Sequence, residues 1–89
     1  MPSKEDYKDV LLSKPHCRIG KLGINKDMIN HILTLLKKHK IIKVKVLKSY
    51  HFDKQMENIA KEVANKTNSY LLDVRGKTFI LSRNRIKGL

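Results

Sequence analysis

Residues 16–46 read HCRIGKLGINKDMINHILTLLKKHKIIKVKV, and their hydrophobic period changes twice along that run. At its end, Ile42-Lys43-Val44-Lys45-Val46 alternates with period two, so Ile42, Val44 and Val46 turn to a core while Lys43 and Lys45 turn the other way. Before it, Met28, Ile29, Ile32, Leu33, Leu35 and Leu36 recur at helical spacing and make a broad apolar face. Asn25 is a suitable cap for that helix, Asp27 suits its first turn, and Lys37, Lys38 and His39 suit its last. Residues 16–19 form a short strand, and Gly20-Lys21-Leu22-Gly23 joins it to the helix as a loop bracketed by glycines.

Working outward, Ser3-Lys4-Glu5-Asp6 has the form of a capping box, and Tyr7, Val10 and Leu11 follow at helical spacing, which predicts a first helix over about residues 4–13. Pro15 stops it, and Lys14, as the residue before proline, is pushed toward an extended conformation. On the other side, residues 49–52 make a linker. Asp53 is a candidate cap for a third helix in which Met56, Ile59, Ala60, Val63 and Ala64 face inward, with Asn68 in the left-handed position that ends it. Residues 70–74 and 78–82 are rich in β-branched and large apolar residues and form a hairpin about Arg75-Gly76.

The order α-β-α-β-α-β-β specifies an α/β single domain with a four-stranded mixed sheet and helices packed on it. Two successive strand–helix–strand units imply right-handed crossovers, which set the second and third helices on one face. The pattern does not say where the first helix packs. With 89 residues there is room for one domain, its core over about 4–83 and a basic tail over 84–89.

Charge carries the functional signal. The chain holds 20 Lys and Arg against 8 Asp and Glu, a formal net charge of +12. Self-repulsion of that size opposes compaction, and a polyanionic partner is the usual reason it is tolerated. The charge is also polarised: between Val10 and Phe52 the only acid is Asp27, and none follows Asp73. A heat-adapted surface would be rich in Glu as well as Lys, and here Glu is scarce. No apolar run is long enough for a membrane helix or has the form of a signal peptide, so no membrane partner and a cytoplasmic location are expected. One cysteine, Cys17, allows no internal disulfide.

A glycine-bracketed loop between a strand and a helix start suits phosphate, because glycine lets backbone approach an anion and free amides at the helix start favour negative charge. Lys21 lies inside this loop, with Arg18 and Lys26 beside it. Other chemistry is poorly supplied. His16, Cys17, His31, His39 and His51 have no metal-ligand spacing, so no metal or other cofactor is expected. No nucleophile–base–acid set and no paired carboxylates on an apolar face are present, so no enzyme is expected. Tyr70 and Phe79 lie on strands, where core burial is the expected role rather than base stacking.

Taken together, Lys14-Pro15, Ile19-Gly20-Lys21-Leu22-Gly23-Ile24, the long helix ending at His39, Ile42-Lys43-Val44-Lys45-Val46, and Arg75-Gly76-Lys77-Thr78-Phe79-Ile80-Leu81-Ser82-Arg83 resemble the CRM domain in order and spacing. That family comprises RNA-binding modules of chloroplast splicing factors and stand-alone bacterial YhbY proteins associated with ribosome precursors. The resemblance implies a fold like the C-terminal domain of translation initiation factor three, with RNA contacted through the loop at Gly20, Lys21, Leu22 and Gly23. Lys14, Lys43, Lys45, Lys77 and Arg83 fall inside matched motifs and carry the basic surface. Cys17, Arg18, Arg75 and Ser82 depart from common family residues, and Arg18 and Arg75 are candidate additions to that surface.

The expected function is therefore binding of structured RNA, ribosomal RNA or ribosome precursors foremost, by a monomer. A small basic protein coating DNA, or a stoichiometric ribosomal protein, is the alternative that charge alone equally permits.

Overall fold

The computed structural model describes residues 4–47 and 55–84. Among the described residues three helices and four strands follow the expected order: α1 (Lys4–Leu12), β1 (Cys17–Ile19), α2 (Lys26–His39), β2 (Ile41–Val46), α3 (Met56–Lys66), β3 (Tyr70–Arg75) and β4 (Thr78–Ser82). The sheet runs β1-β2-β4-β3. β1 lies parallel to β2, and β4 is antiparallel to both its neighbours. β3 therefore points the same way as β1 and β2, and β4, inserted between β2 and β3, makes the sheet mixed.

Alternation along the strands sorts the two faces. Cys17 and Ile19, Ile42, Val44 and Val46, and Phe79 and Leu81 point to one face, where they meet Ile32 and Leu36 of α2 and Ile59, Ala60, Val63 and Ala64 of α3. This is the main core, and α2 and α3 cover it together as the crossover pattern requires. Phe79 is fully buried there; truncating a core phenylalanine to alanine costs about 3–5 kcal/mol.

The opposite face holds a smaller cluster, and it is here that α1 packs. Ile41 and Ile80 are buried under Tyr7, Val10 and Leu11, with Leu72 alongside. A register shift between Leu71 and Asp73 makes this possible. The extra residue of the bulge lets Leu72 join the cluster while neighbouring Asp73, paired with Ile80, serves the same face. Lys43 completes the seat, its ammonium donating to the carbonyls of Leu11 at 3.0 Å and Ser13 at 3.1 Å, which would otherwise be orphaned at the helix end.

Helix ends follow their local chemistry. Asn25 caps α2 by accepting the Met28 N–H at 2.8 Å. Gln55, not Asp53, holds the N-cap position of α3, and its side chain makes no capping bond. Asn68 ends α3 at φ 51°, with Asn68 N–H donating to Asn65 and Ser69 N–H to Ala64, the paired bonds of a Schellman motif. Gly76 takes φ 56° in the β3–β4 turn, a conformation glycine adopts at least cost. The Ser3 capping residue, the 49–52 linker, Asp53 and the tail beyond Asn84 lie outside the described residues. Phe79 is buried as expected, but Tyr70 is 49% exposed, because it sits at the start of the edge strand β3.

Candidate nucleic-acid interface

β1, β2 and β3 end at the same end of the sheet, so the segments that leave them gather there. Leu47 N–H donates to Ile19 C=O at 2.8 Å and Val46 N–H to Lys77 C=O at 2.7 Å, tying the glycine loop, the end of β2 and the β3–β4 turn into one rim. In the loop, Gly23 N–H donates to Gly20 C=O at 2.8 Å, placing Lys21 and Leu22 at the corner of a tight turn. Both corner side chains point to solvent, Leu22 with 83% of its surface exposed. Only Gly23 of the glycine pair has a positive φ, 68°. Gly20 needs no left-handed conformation, so backbone geometry alone does not account for a glycine there.

The helix end beside the loop differs from expectation. Asn25 already takes the Met28 N–H, and the Asp27 carboxylate stands in the first turn. Asp27 lines the groove between loop and helix together with Gly20, Lys21, Gly23, Met28 and His31. An anion at this helix start meets a carboxylate already in place, so the cationic side of the loop is the Lys21 corner. Lys26 is exposed in the same first turn.

Strand register assembles what sequence spacing left apart. Arg18 pairs with Lys45, Lys45 with Thr78, and Thr78 with Arg75. These four residues form one row across all four strands, on the face turned away from α2 and α3 and at the rim end of the sheet. Arg18, Lys45 and Arg75 are exposed. Lys77 is exposed at the hairpin turn beside them. Arg75 donates to Asp73 Oδ2 at 2.6 Å, so part of its charge is balanced. Thr78 lies within the row and had no signal of its own in the sequence beyond its place in a strand.

Lys43, Lys14 and Arg83 stand elsewhere. The Lys43 ammonium is committed to the α1 carbonyls. Lys14 precedes β1 and Arg83 follows β4, which places both at the opposite end of the sheet from the glycine loop. Cys17 is buried in the main core, and burial pushes its thiol up to about 11, so it stays protonated at neutral pH and is a poor nucleophile. Among the described residues no group of three or more His, Cys, Asp or Glu could hold a metal ion. No helix among them is long and apolar enough to cross a membrane.

The model of the CRS1 / YhbY (CRM) domain family matches residues 8–83, nearly the whole chain. The chain belongs to this family. It is an RNA-binding protein of the CRM type. Its backbone is similar to the solution structure of the hypothetical protein SAV1595 from Staphylococcus aureus, which is designated a candidate RNA-binding protein. The two agree with a TM-score of 0.70 and 29% sequence identity, over 97% of this CRM chain and 88% of that one. No curated protein matches the CRM chain described here.

Proposed function

We propose that this CRM protein grips structured RNA, ribosomal RNA or ribosome precursors, through the rim formed by Gly20, Lys21, Leu22 and Gly23 and through the basic row that continues from it. The observation that carries the reading is the row Arg18–Lys45–Thr78–Arg75, which sets three cationic side chains in strand register on the sheet face away from α2 and α3. Cations spaced by the sheet are suited to successive backbone phosphates, and the Thr78 hydroxyl, which donates to the Arg75 carbonyl at 2.8 Å, ties the row to the hairpin. Lys21, Lys26 and Lys77 extend the surface around the rim, and Leu22 offers an apolar contact at its tip. Base readout has little support in these side chains, so recognition rests on backbone and shape.

The deciding experiment is crosslinking in cell extract followed by sequencing of the attached RNA, alongside a salt titration with the purified protein. With about five phosphates neutralised, affinity should fall roughly a hundredfold between about 50 and 200 mM salt. Enrichment of ribosomal RNA and a steep salt slope support the reading. A flat salt response, or equal affinity for duplex DNA in competition at matched salt, counts against it.

A further inference from the structure

A second basic surface lies at the end of the sheet remote from the glycine loop, and the residues that make it come from three separate segments. α2 ends there with Lys37, Lys38 and His39, all exposed, and β2 begins immediately after Lys40. Arg83 N–H donates to Lys40 C=O at 2.8 Å, fixing the exit of β4 against the entry of β2. On the other side, His16 lies with its ring 4.8 Å from that of His39, bringing Lys14 two residues away on the approach to β1. Lys14, Lys40 and Arg83 thus span this end from β1 to β4, and Lys37 and Lys38 stand behind them.

A helix C-terminus attracts cations through its dipole, and that accounts for charges in the last turn of α2. It does not account for Lys14 or Arg83, which belong to other segments. Nor does it account for Lys40, which holds φ 69° where glycine would sit at less cost. Among the described residues no ion pair joins Lys14, Lys37, Lys38, Lys40 or Arg83 to a carboxylate. Among the described residues the surface is therefore cationic and without an ion pair, and it is separated from the glycine rim by the length of β2, about 20 Å for a six-residue strand.

Resting on the reading of the rim as an RNA contact, we infer that this remote end binds a second RNA backbone segment, so that one copy of the protein bridges two RNA helices. A rigid A-form helix lying against one end of the sheet leaves the other end free for a second.

The test uses two short RNA hairpins of unrelated sequence, one biotinylated and one fluorescent, with the full chain at near-physiological salt. The wild-type protein should retain the fluorescent hairpin on streptavidin, in a complex whose mass contains one protein copy. Lys37→Gln/Lys38→Gln/Lys40→Gly should bind a single hairpin with an affinity close to wild type yet lose co-capture by about tenfold, as expected when several phosphate contacts disappear. Glycine is chosen at position 40 because it accepts the positive φ, and a thermal melt confirms folding. Co-capture by the triple variant at the wild-type level overturns the proposal, as does a wild-type complex that saturates at one hairpin or contains two protein copies. Adding Arg18→Gln/Lys45→Gln to the triple variant separates this from the reading it rests on: single-hairpin affinity unchanged by that addition defeats the rim as an RNA site. Lost affinity together with one-hairpin saturation of the wild type defeats the bridge alone.

Discussion

The Tyr7 hydroxyl donates to Asp73 Oδ2 at 3.0 Å, joining α1 to β3 across 66 residues of sequence. Asp73 also accepts from Arg75 Nε and from the Val74 N–H. Burial by itself would raise the Asp73 carboxyl, but these three bonds outweigh it and hold the group below its ordinary value of 3.8. Tyr7 is raised above 10.0, first by burial and then by its bond to Asp73.

Two pH arms follow from that pair. The depressed carboxyl contributes stability that is present above pH 3.8 and is lost as pH falls through the lower folded value. The raised phenol contributes stability that is present below pH 10.0 and is lost as pH rises through the higher folded value. Tyr7→Phe should lower unfolding free energy at neutral pH by about 0.5–1.5 kcal/mol and remove the tyrosine contribution to the alkaline arm. Urea denaturation across pH checks both. An unchanged alkaline arm in the variant removes Tyr7 as its source.

His16 sets a milder acid dependence. Its Nδ1 accepts the backbone N–H of Lys43 at 3.0 Å, which requires the neutral ring. Burial first, and the neighbouring His39 charge second, lower its pKa below 6.5. Its contribution is therefore present above pH 6.5 and lost as pH falls through the lower folded value. His16→Gln should be less stable than wild type at pH 7 and should lose less further stability on acidification to about pH 5. Parallel pH profiles for the two proteins contradict this assignment.

Lys43 and Lys45, two residues apart on one face of β2, should behave oppositely. Lys43→Met removes the donor to the Leu11 and Ser13 carbonyls and should cost about 1–2 kcal/mol of stability, with little effect on RNA. Lys45→Met should leave the melting temperature nearly unchanged, weaken RNA binding and reduce the logarithmic salt slope by about one unit. Denaturation and salt titration of both variants check the contrast, which fails if Lys43→Met has the larger binding defect.

At the loop, Lys21→Ala should weaken RNA binding and lower the salt slope by about one unit without moving the melting temperature. Leu22→Asp places a carboxylate at the same tip. Since Leu22 is exposed, its substitution should cost under about 0.5 kcal/mol of stability, and loss of binding can be read directly. Wild-type affinity and slope in Lys21→Ala would remove the loop from the contact surface.

Much of the fold was legible because it is written in local periods. Period two at Ile42, Val44 and Val46, helical spacing at Met28 to Leu36, and a glycine between two apolar runs each name an element without reference to the rest. The caps at Asn25 and Asn68 followed from side-chain and backbone chemistry close to their own positions. The N-cap of α3 is not legible in sequence, because Gln55 makes no side-chain bond there and Asp53 is the more conspicuous capping residue type. The sequence assigns Lys43 to the basic surface and hides its seat under α1, because its partners are carbonyls, which every residue carries and no sequence pattern marks.

The sequence by itself determined the order of elements, the loop at residues 20–23, the cationic balance and the membership in an RNA-binding family, since each depends on residue type and near-neighbour spacing. Only the tertiary structure decided which charges stand together. Insertion of β4 between β2 and β3 brings Arg18, Lys45, Thr78 and Arg75 into one row. The Leu71–Asp73 bulge and the out-of-phase residues Ile41 and Ile80 seat α1 on the second face. Parallel alignment of β1 with β2 sends Lys14 and Arg83 to one end and Lys21 to the other. Strand pairing is set by contacts between residues distant in the chain, so positions that alternate identically in sequence reach opposite ends of the sheet.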